Sequence, residues 1–169
     1  MVRELKEDLQ IARSIYGYRW YYVLPFHLTE GQILYRHYLY LRTAEYAYHR
    51  HNPLRKLYLL RLTRLQVKYG LSIPMDVVGK GFHIQHLGSV IINGQARIGE
   101  YCKVHPGVCI GANHDKAPII GDHVYIGPGA KVFGDIQIAD EVQIGANAVV
   151  TKSCQQRGAH LAGVPAQVV

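Results

Sequence analysis

The sequence predicts a mainly β chain, a solenoid of short strands preceded by an α-helical segment, and three observations predict it. A branched aliphatic residue returns every six positions between residues 78 and 150. Fourteen of the 17 glycines follow residue 70. Eleven of the 13 tyrosines precede it, together with the whole of the +7 net charge, because residues 1–70 carry 12 Lys and Arg against 5 Asp and Glu while residues 71–169 carry 7 of each. Two different materials therefore meet near Gly70 to Pro74. The reading is a helical region over 1–73, a solenoid over 74–158 and a tail over 159–169. With 49% hydrophobic and 18% charged residues the chain is not disordered, and it holds no apolar run long enough to span a bilayer. Its first residues, Met1-Val2-Arg3-Glu4-Leu5-Lys6-Glu7-Asp8, lack the apolar core of a secretory signal, and three cysteines are too few for a disulfide framework. Both point to a cytoplasmic protein with free thiols.

In the first segment Leu5, Leu9 and Ala12 mark one helix from Glu4 to Ile15, stopped by Gly17. Thr29 and Gln32 have the spacing of a capping box, ahead of a second helix whose face carries Leu34, Tyr38, Leu41 and Tyr48. Asn52-Pro53 opens a third, with Leu54, Leu57, Leu62, Leu65 and Tyr69 as its stripe and Gly70 as its stop. Arg50, Arg55, Lys56, Arg61, Arg64 and Lys68 interleave with those stripes. A solvated basic face is the plain reading of this pattern. Basic residues beside Tyr, Leu and Trp20 also suit contact with anionic headgroups, so a membrane-surface contact stays open. Nucleic acid is not expected, since no reader motif accompanies the charge.

In the second segment Val78, Ile84 and Val90 share one register. Ile92, Ile98, Val104 and Ile110 continue it after a slip of two residues, and Ile120, Ile126, Val132, Ile138, Ile144 and Val150 resume it after four extra residues. Period six is neither helical nor simple strand alternation. It suits coils of three six-residue sides, each anchor pointing inward and stacked on the anchor one coil away, with Gly, Asn and Asp at the corners. Twelve such units make about four coils.

That register, with the strings IIGDHVYIGPGAKVFGDIQIADEVQIGANAVVTK and AGVPAQVV, resembles the hexapeptide-repeat acyltransferases, and the resemblance covers residues 71–169. The strings SIPMDVVGKGFHIQHLGSVIING and VHPGVCIG after a helical segment are similar to the serine O-acetyltransferases and to relatives that acetylate capsular or other surface polysaccharides. The resemblance implies a left-handed parallel β-helix, a homotrimer that could pair through its N-terminal helices, and acetyl-CoA as acyl donor in a groove between neighbouring helices. It implies a small-molecule or sugar acceptor.

Acetyl transfer to a hydroxyl needs a base, and an imidazole, with an ordinary pKa of about 6.5, is largely free to accept a proton at neutral pH. His86, two residues after Ile84, falls where the resemblance puts the catalytic histidine. The acidic partner expected in the aligned stretch Leu71-Ser72-Ile73-Pro74 is absent, which leaves Asp76, Asp115 or a backbone carbonyl to orient His86 and weakens the case for serine as the acceptor. The four extra residues between Ile110 and Ile120 must bulge, and His114 in that loop is the candidate for a second functional histidine. Asp76, His105 and Asp115 are the candidate acceptor contacts. The resemblance assigns the donor groove to Pro128, Ala146, Thr151 and Lys152, and charge adds Lys131 and Arg157 as phosphate partners. Cys102, His105, Cys109 and His114 have a spacing that could suggest zinc, but side chains alternating along a strand cannot all converge on one ion, so no metal is expected. The rival classes are a metal hydratase like the γ-class carbonic anhydrases, for which His83, His86, His105 and His114 would be ligands, and a noncatalytic scaffold.

Overall fold

The computed structural model describes residues 2–17 and 29–169; Trp20 lies outside them. The chain forms two compact units, Met1–Tyr69 and Gly70–Val169.

The first unit contains α1 (Val2–Tyr16), α2 (Glu30–His49) and α3 (Arg55–Tyr69). Thr29 caps α2, its hydroxyl accepting the Gln32 N–H at 3.2 Å. Asn52 Oδ1 accepts the Leu54 N–H at 2.8 Å, so the Asn-Pro pair opens the third helix as its sequence predicts. Ala12 packs on Tyr35 and Tyr38, and the Tyr38 hydroxyl donates to Asp8 at 2.8 Å, which ties α1 to α2. The expected stripes hold only in part. Leu34, Tyr38 and Leu41 are buried, but Tyr48, in the last turn of α2, is exposed. On α3 only Leu62 and Leu65 are buried, while Leu54 and Leu57 face solvent. Five residues separate Leu57 from Leu62, about 140° around a helix, so the two cannot lie on one face.

The second unit is a β-solenoid of three sheets, with all coil-to-coil pairings parallel. The first sheet stacks five strands, Leu71–Ser72, Val90–Ile92, Cys109–Gly111, Lys131–Phe133 and Val149–Val150. In the second, Arg97–Ile98, Ile119–Ile120 and Gln137–Ile138 pair, extended by single bridges to Val78 and Cys154. In the third, Ile84, Val104, Ile126, Ile144 and Leu161 stand opposite one another in one column, as the six-residue period requires. All five are at most 5% exposed. Each such side chain contributes about 1.5–3 kcal/mol of burial before entropy is counted.

There are about five coils rather than four. The first begins at Leu71, buried opposite Val90, ahead of the regular period. The last closes with His160–Gly163, parallel to Gln143–Ile144, so residues 159–169 are sheet rather than tail. Ala166–Val168 then folds back antiparallel on that strand and covers its edge. The two-residue slip falls in the corner His86–Ser89, and the four extra residues form a tight hairpin in which Asn113 and Lys116 exchange backbone hydrogen bonds. His114 and Asp115, its two central residues, have φ of 48° and 64°.

One corner is tied by carboxylates. Asp122 Oδ1 accepts the Glu100 N–H at 2.7 Å, and Asp140 Oδ1 accepts the Asp122 N–H at 2.8 Å. Each carboxylate lies under the glycine of the preceding coil, Gly99 or Gly121, where a Cβ would meet it. A Cβ on Gly99 would also stand 2.6 Å from the Gly121 carbonyl. We therefore expect Gly99→Ala and Gly121→Ala each to destabilise the solenoid by about 1–3 kcal/mol in urea unfolding. Gly94→Ala, whose Cβ would lie 3.8 Å from Pro74, should be nearly neutral.

His37 is a second point at which packing sets chemistry. Burial, and then the charge of Arg42, lower its pKa to about 4. The Gln66 amide nitrogen, which can only donate, lies 3.2 Å from His37 Nε2, so that ring nitrogen accepts and the imidazole is neutral. Between pH 6.5 and 4 the unfolded chain binds a proton here that the folded chain does not. The associated stability is complete above about pH 6.5 and is lost as pH falls toward 4, by up to about 1.4 kcal/mol per pH unit. Urea midpoints measured at pH 7 and pH 5 should show that fall, and His37→Gln should make it shallower, the part due to other histidines whose pKa is lowered remaining.

Candidate active site

Along each coil the odd neighbours of the inward anchors point outward, so the third sheet's outer face reads His83, Lys103, Tyr125, Gln143 and His160 in register. His105, one position beyond Val104, shares that outward side, and His86 is exposed at the corner that follows Ile84. The rings form a row. His86 and His105 have centroids 6.3 Å apart, and His105 meets Tyr125 edge-on at 5.1 Å.

The row is electrostatically crowded. Burial, and then the charges of Lys103, His105 and His86, lower the His83 pKa to about 4. Burial, His86 and Lys103 lower that of His105. Both rings are accordingly neutral at neutral pH, each offering one N–H and one lone pair, with the Lys103 ammonium beside them. The row continues into a hollow of about 160 Å³ lined by Tyr125, Gln143, Gly145, His160, Ala162 and Val169. Its outward faces carry imidazole, phenol and amide groups beside bare glycine backbone, so it can exchange a proton at one end and hold a narrow chain along the other.

The other candidates divide between two corners. Pro128 and Ala146 share the His86 corner, one above the other with Pro106, where Gly107, Gly129 and Asn147 take positive φ and hand N–H bonds from coil to coil. Asp76, His114, Asp115, Thr151 and Lys152 lie on the corner between the first and second sheets, across the width of the first sheet from His86. Within one chain, His86 and His105 come together, but His114 and the two aspartates do not join them. Lys152 lines a separate hollow of about 270 Å³ with Ser153, Gln155 and Gln167. The Lys131 ammonium donates to the Gly107 carbonyl, and Arg157 is held by Glu141 at 2.7 and 3.1 Å, so both are engaged with the coil's own groups.

Tyr125, Lys103 and His83 join the row, the first two not singled out as site residues and His83 named only as a ligand of the rival metal hydratase. The signal was present: they are separated by 20 and 22 residues, one coil each, and occupy the position before the anchor every time. Cys102 turns inward, fully buried, its Sγ 3.1 Å from the Gly121 carbonyl and its thiol pushed up to about 12, chiefly by burial. It thus stands on the opposite side of the strand from His105. Among the described residues no three His, Cys, Asp or Glu side chains are grouped to hold a metal ion.

Comparison with known proteins fits this architecture. Residues 117–152 match the family described as bacterial transferase hexapeptide (six repeats). The chain is 33% identical over 133 residues to a serine acetyltransferase of Synechococcus elongatus, covering 76% of this chain and 53% of that one. It is 39% identical over 100 residues to a serine acetyltransferase of Mycobacterium tuberculosis, covering 57% and 43%. The chain thus spans about half the length of the curated relatives it matches. Among solved structures, a serine O-acetyltransferase from Brucella melitensis superposes with a TM-score of 0.73 at 23% identity, over 99% of this chain and 66% of that one. A serine acetyltransferase in complex with CoA gives 0.71 at 23%, over 99% and 69%; both show a shared fold. In repeat, sequence and fold the chain is similar to the serine O-acetyltransferase-like hexapeptide-repeat proteins.

Proposed function

We propose that the chain transfers an acetyl group from acetyl-CoA to a hydroxyl group, with His86 as general base, in a site completed between copies of a homotrimer. The observation that carries the reading is the outward row of His86, His105 and Tyr125 beside a hollow bordered by glycine backbone. The likeness to serine acetyltransferases supplies the reaction class. It also suggests the cytoplasm, where acetyl-CoA is available.

An alcohol attacking a thioester must lose its proton as the new C–O bond forms. The His86 imidazole takes that proton and returns it to the departing thiolate as the C–S bond breaks, so the base is restored at each turnover. His105, held neutral, keeps an N–H with which to steady the acceptor or the developing oxyanion. Pro128, Ala146, Thr151 and Lys152 are proposed to line the path of the donor.

The separation of His114 and Asp115 from His86 supports the trimer. In a threefold assembly the corner between the first and second sheets of one copy can approach the His86 corner of the next, so a carboxylate or imidazole from the hairpin could complete the acceptor site. A sugar acceptor is the second reading, favoured by Leu71. That residue is buried opposite Val90 in the stretch where the resemblance expects an aspartate.

A thiol-release assay with acetyl-CoA, L-serine and a panel of sugars tests the function and selects the acceptor. Release with none of these acceptors would overturn the reading. His86→Ala should lower turnover by about 10²–10⁴-fold while CoA affinity stays nearly unchanged; ordinary turnover would remove the base assignment. Deleting Asn113–Lys116 should spare folding and abolish acceptor turnover. Mixing and reassembling the His86 variant with the deletion variant should restore part of the activity, because one intact half-site can then come from each chain.

A further inference from the structure

We propose that the outward face of α3 docks the chain on a membrane surface rich in anionic lipid. The inference is independent of the acetyl-transfer reading and rests on the first unit alone. With Leu62 and Leu65 turned inward, α3 presents Leu57, Leu60 and Val67 to solvent at 42%, 44% and 77% exposure. At 100° per residue these three lie within an arc of about 80°, with Arg64 among them, Lys56 at one edge and Lys68 and Arg61 at the other. Apolar side chains flanked by cations form the pattern that seats a helix in the plane of a bilayer interface, leucines toward the acyl boundary and ammonium groups among phosphates.

Charge selects the partner. Helix α3 holds five Lys and Arg and no Asp or Glu. A second copy laid on this face would set cations against cations, which opposes self-pairing, whereas an anionic lipid surface attracts each cation within a Debye length. Nucleic acid would match the charge but would leave Leu57, Leu60 and Val67, at the centre of the face, with nothing apolar to bury against. At the start of the helix a hollow of about 320 Å³ is lined by Tyr48, His51, Arg55, Lys56 and Leu59, with Arg55 Nη1 3.2 Å from His51 Nδ1. On the same helical wheel Arg55 and Leu59 fall outside the arc of Leu57, Leu60 and Val67, so this hollow lies beside the docking face and is not part of it. No helix among the described residues is long and apolar enough to cross a membrane, so contact is at the surface.

Co-sedimentation of the full chain with phosphatidylcholine vesicles, with and without phosphatidylglycerol, tests this. We expect partitioning to the anionic vesicles about tenfold or more above the neutral ones, weakened by salt. The double variants Arg64→Glu with Lys68→Glu and Leu60→Ser with Val67→Ser, all at exposed positions, should each reduce it by about tenfold or more. Their helix content and their acetyl transfer to a soluble acceptor should not change. Equal binding to both vesicle types, no binding, or binding indifferent to either double variant would overturn the proposal. So would tighter binding to a random DNA duplex at the same salt, or a lipid-free oligomer that dissociates when Leu60 and Val67 are replaced, which would assign the face to a second copy. Vesicle binding by a chain that transfers no acetyl group would leave this inference standing and remove the other.

Discussion

Everything in the second unit depends on the stacking of inward aliphatic side chains from one coil to the next. The column Ile84, Val104, Ile126, Ile144 and Leu161 is sealed from water along its length. Each inner member stands between similar side chains of the coils above and below, so the stack accepts no insertion within a side without turning the wrong residue inward. Extra residues can enter only at corners. The chain uses that freedom twice, with two residues at His86–Ser89 and four at Asn113–Lys116. The positions free to vary are thus also where exposed histidines occur.

The corners impose their own chemistry. Their turns require positive φ, and the chain meets the requirement with glycine or with Tyr101, His123, Glu141 and Asn147. Where coils approach most closely, at Gly99 and Gly121, the missing Cβ makes room for the next coil's carboxylate, which accepts the N–H of the residue after the glycine. This rigidity has a functional consequence for the outer faces. A row such as His86, His105 and Tyr125 is held at fixed spacing by backbone bonds behind it, so partial burial and the neighbouring His86 lower the proton affinity of His105 without any movement. His83 and His105 stay neutral because water is partly excluded from them and positive neighbours surround them.

The helical unit follows another rule. Its buried contacts are supplied by tyrosine and short aliphatic residues, with Tyr38 using ring and hydroxyl together, packed on Ala12 and donating to Asp8. Because α3 needs only Leu62 and Leu65 for its contact, its remaining apolar side chains stay on the surface among cations.

Sequence alone determined the solenoid, its column of anchors and the inward turn of Cys102, because a period of six can be satisfied in only one way once the branched residues must avoid water. It also marked both insertions and set His86 on an outer corner. It did not determine the number of coils, since the first and last, at Leu71 and Leu161, depart from the period and are recognised only by the strands they pair with. Nor did it decide which leucines of α3 are buried, because both faces of that helix are apolar enough to pack and the choice belongs to the neighbouring α2. The meeting of His86 with His105 and Tyr125, and the separation of His114 from them, were decided by tertiary structure. Residues 18 to 22 apart become neighbours only when coils stack, while residues closer in sequence are kept apart by the width of a sheet.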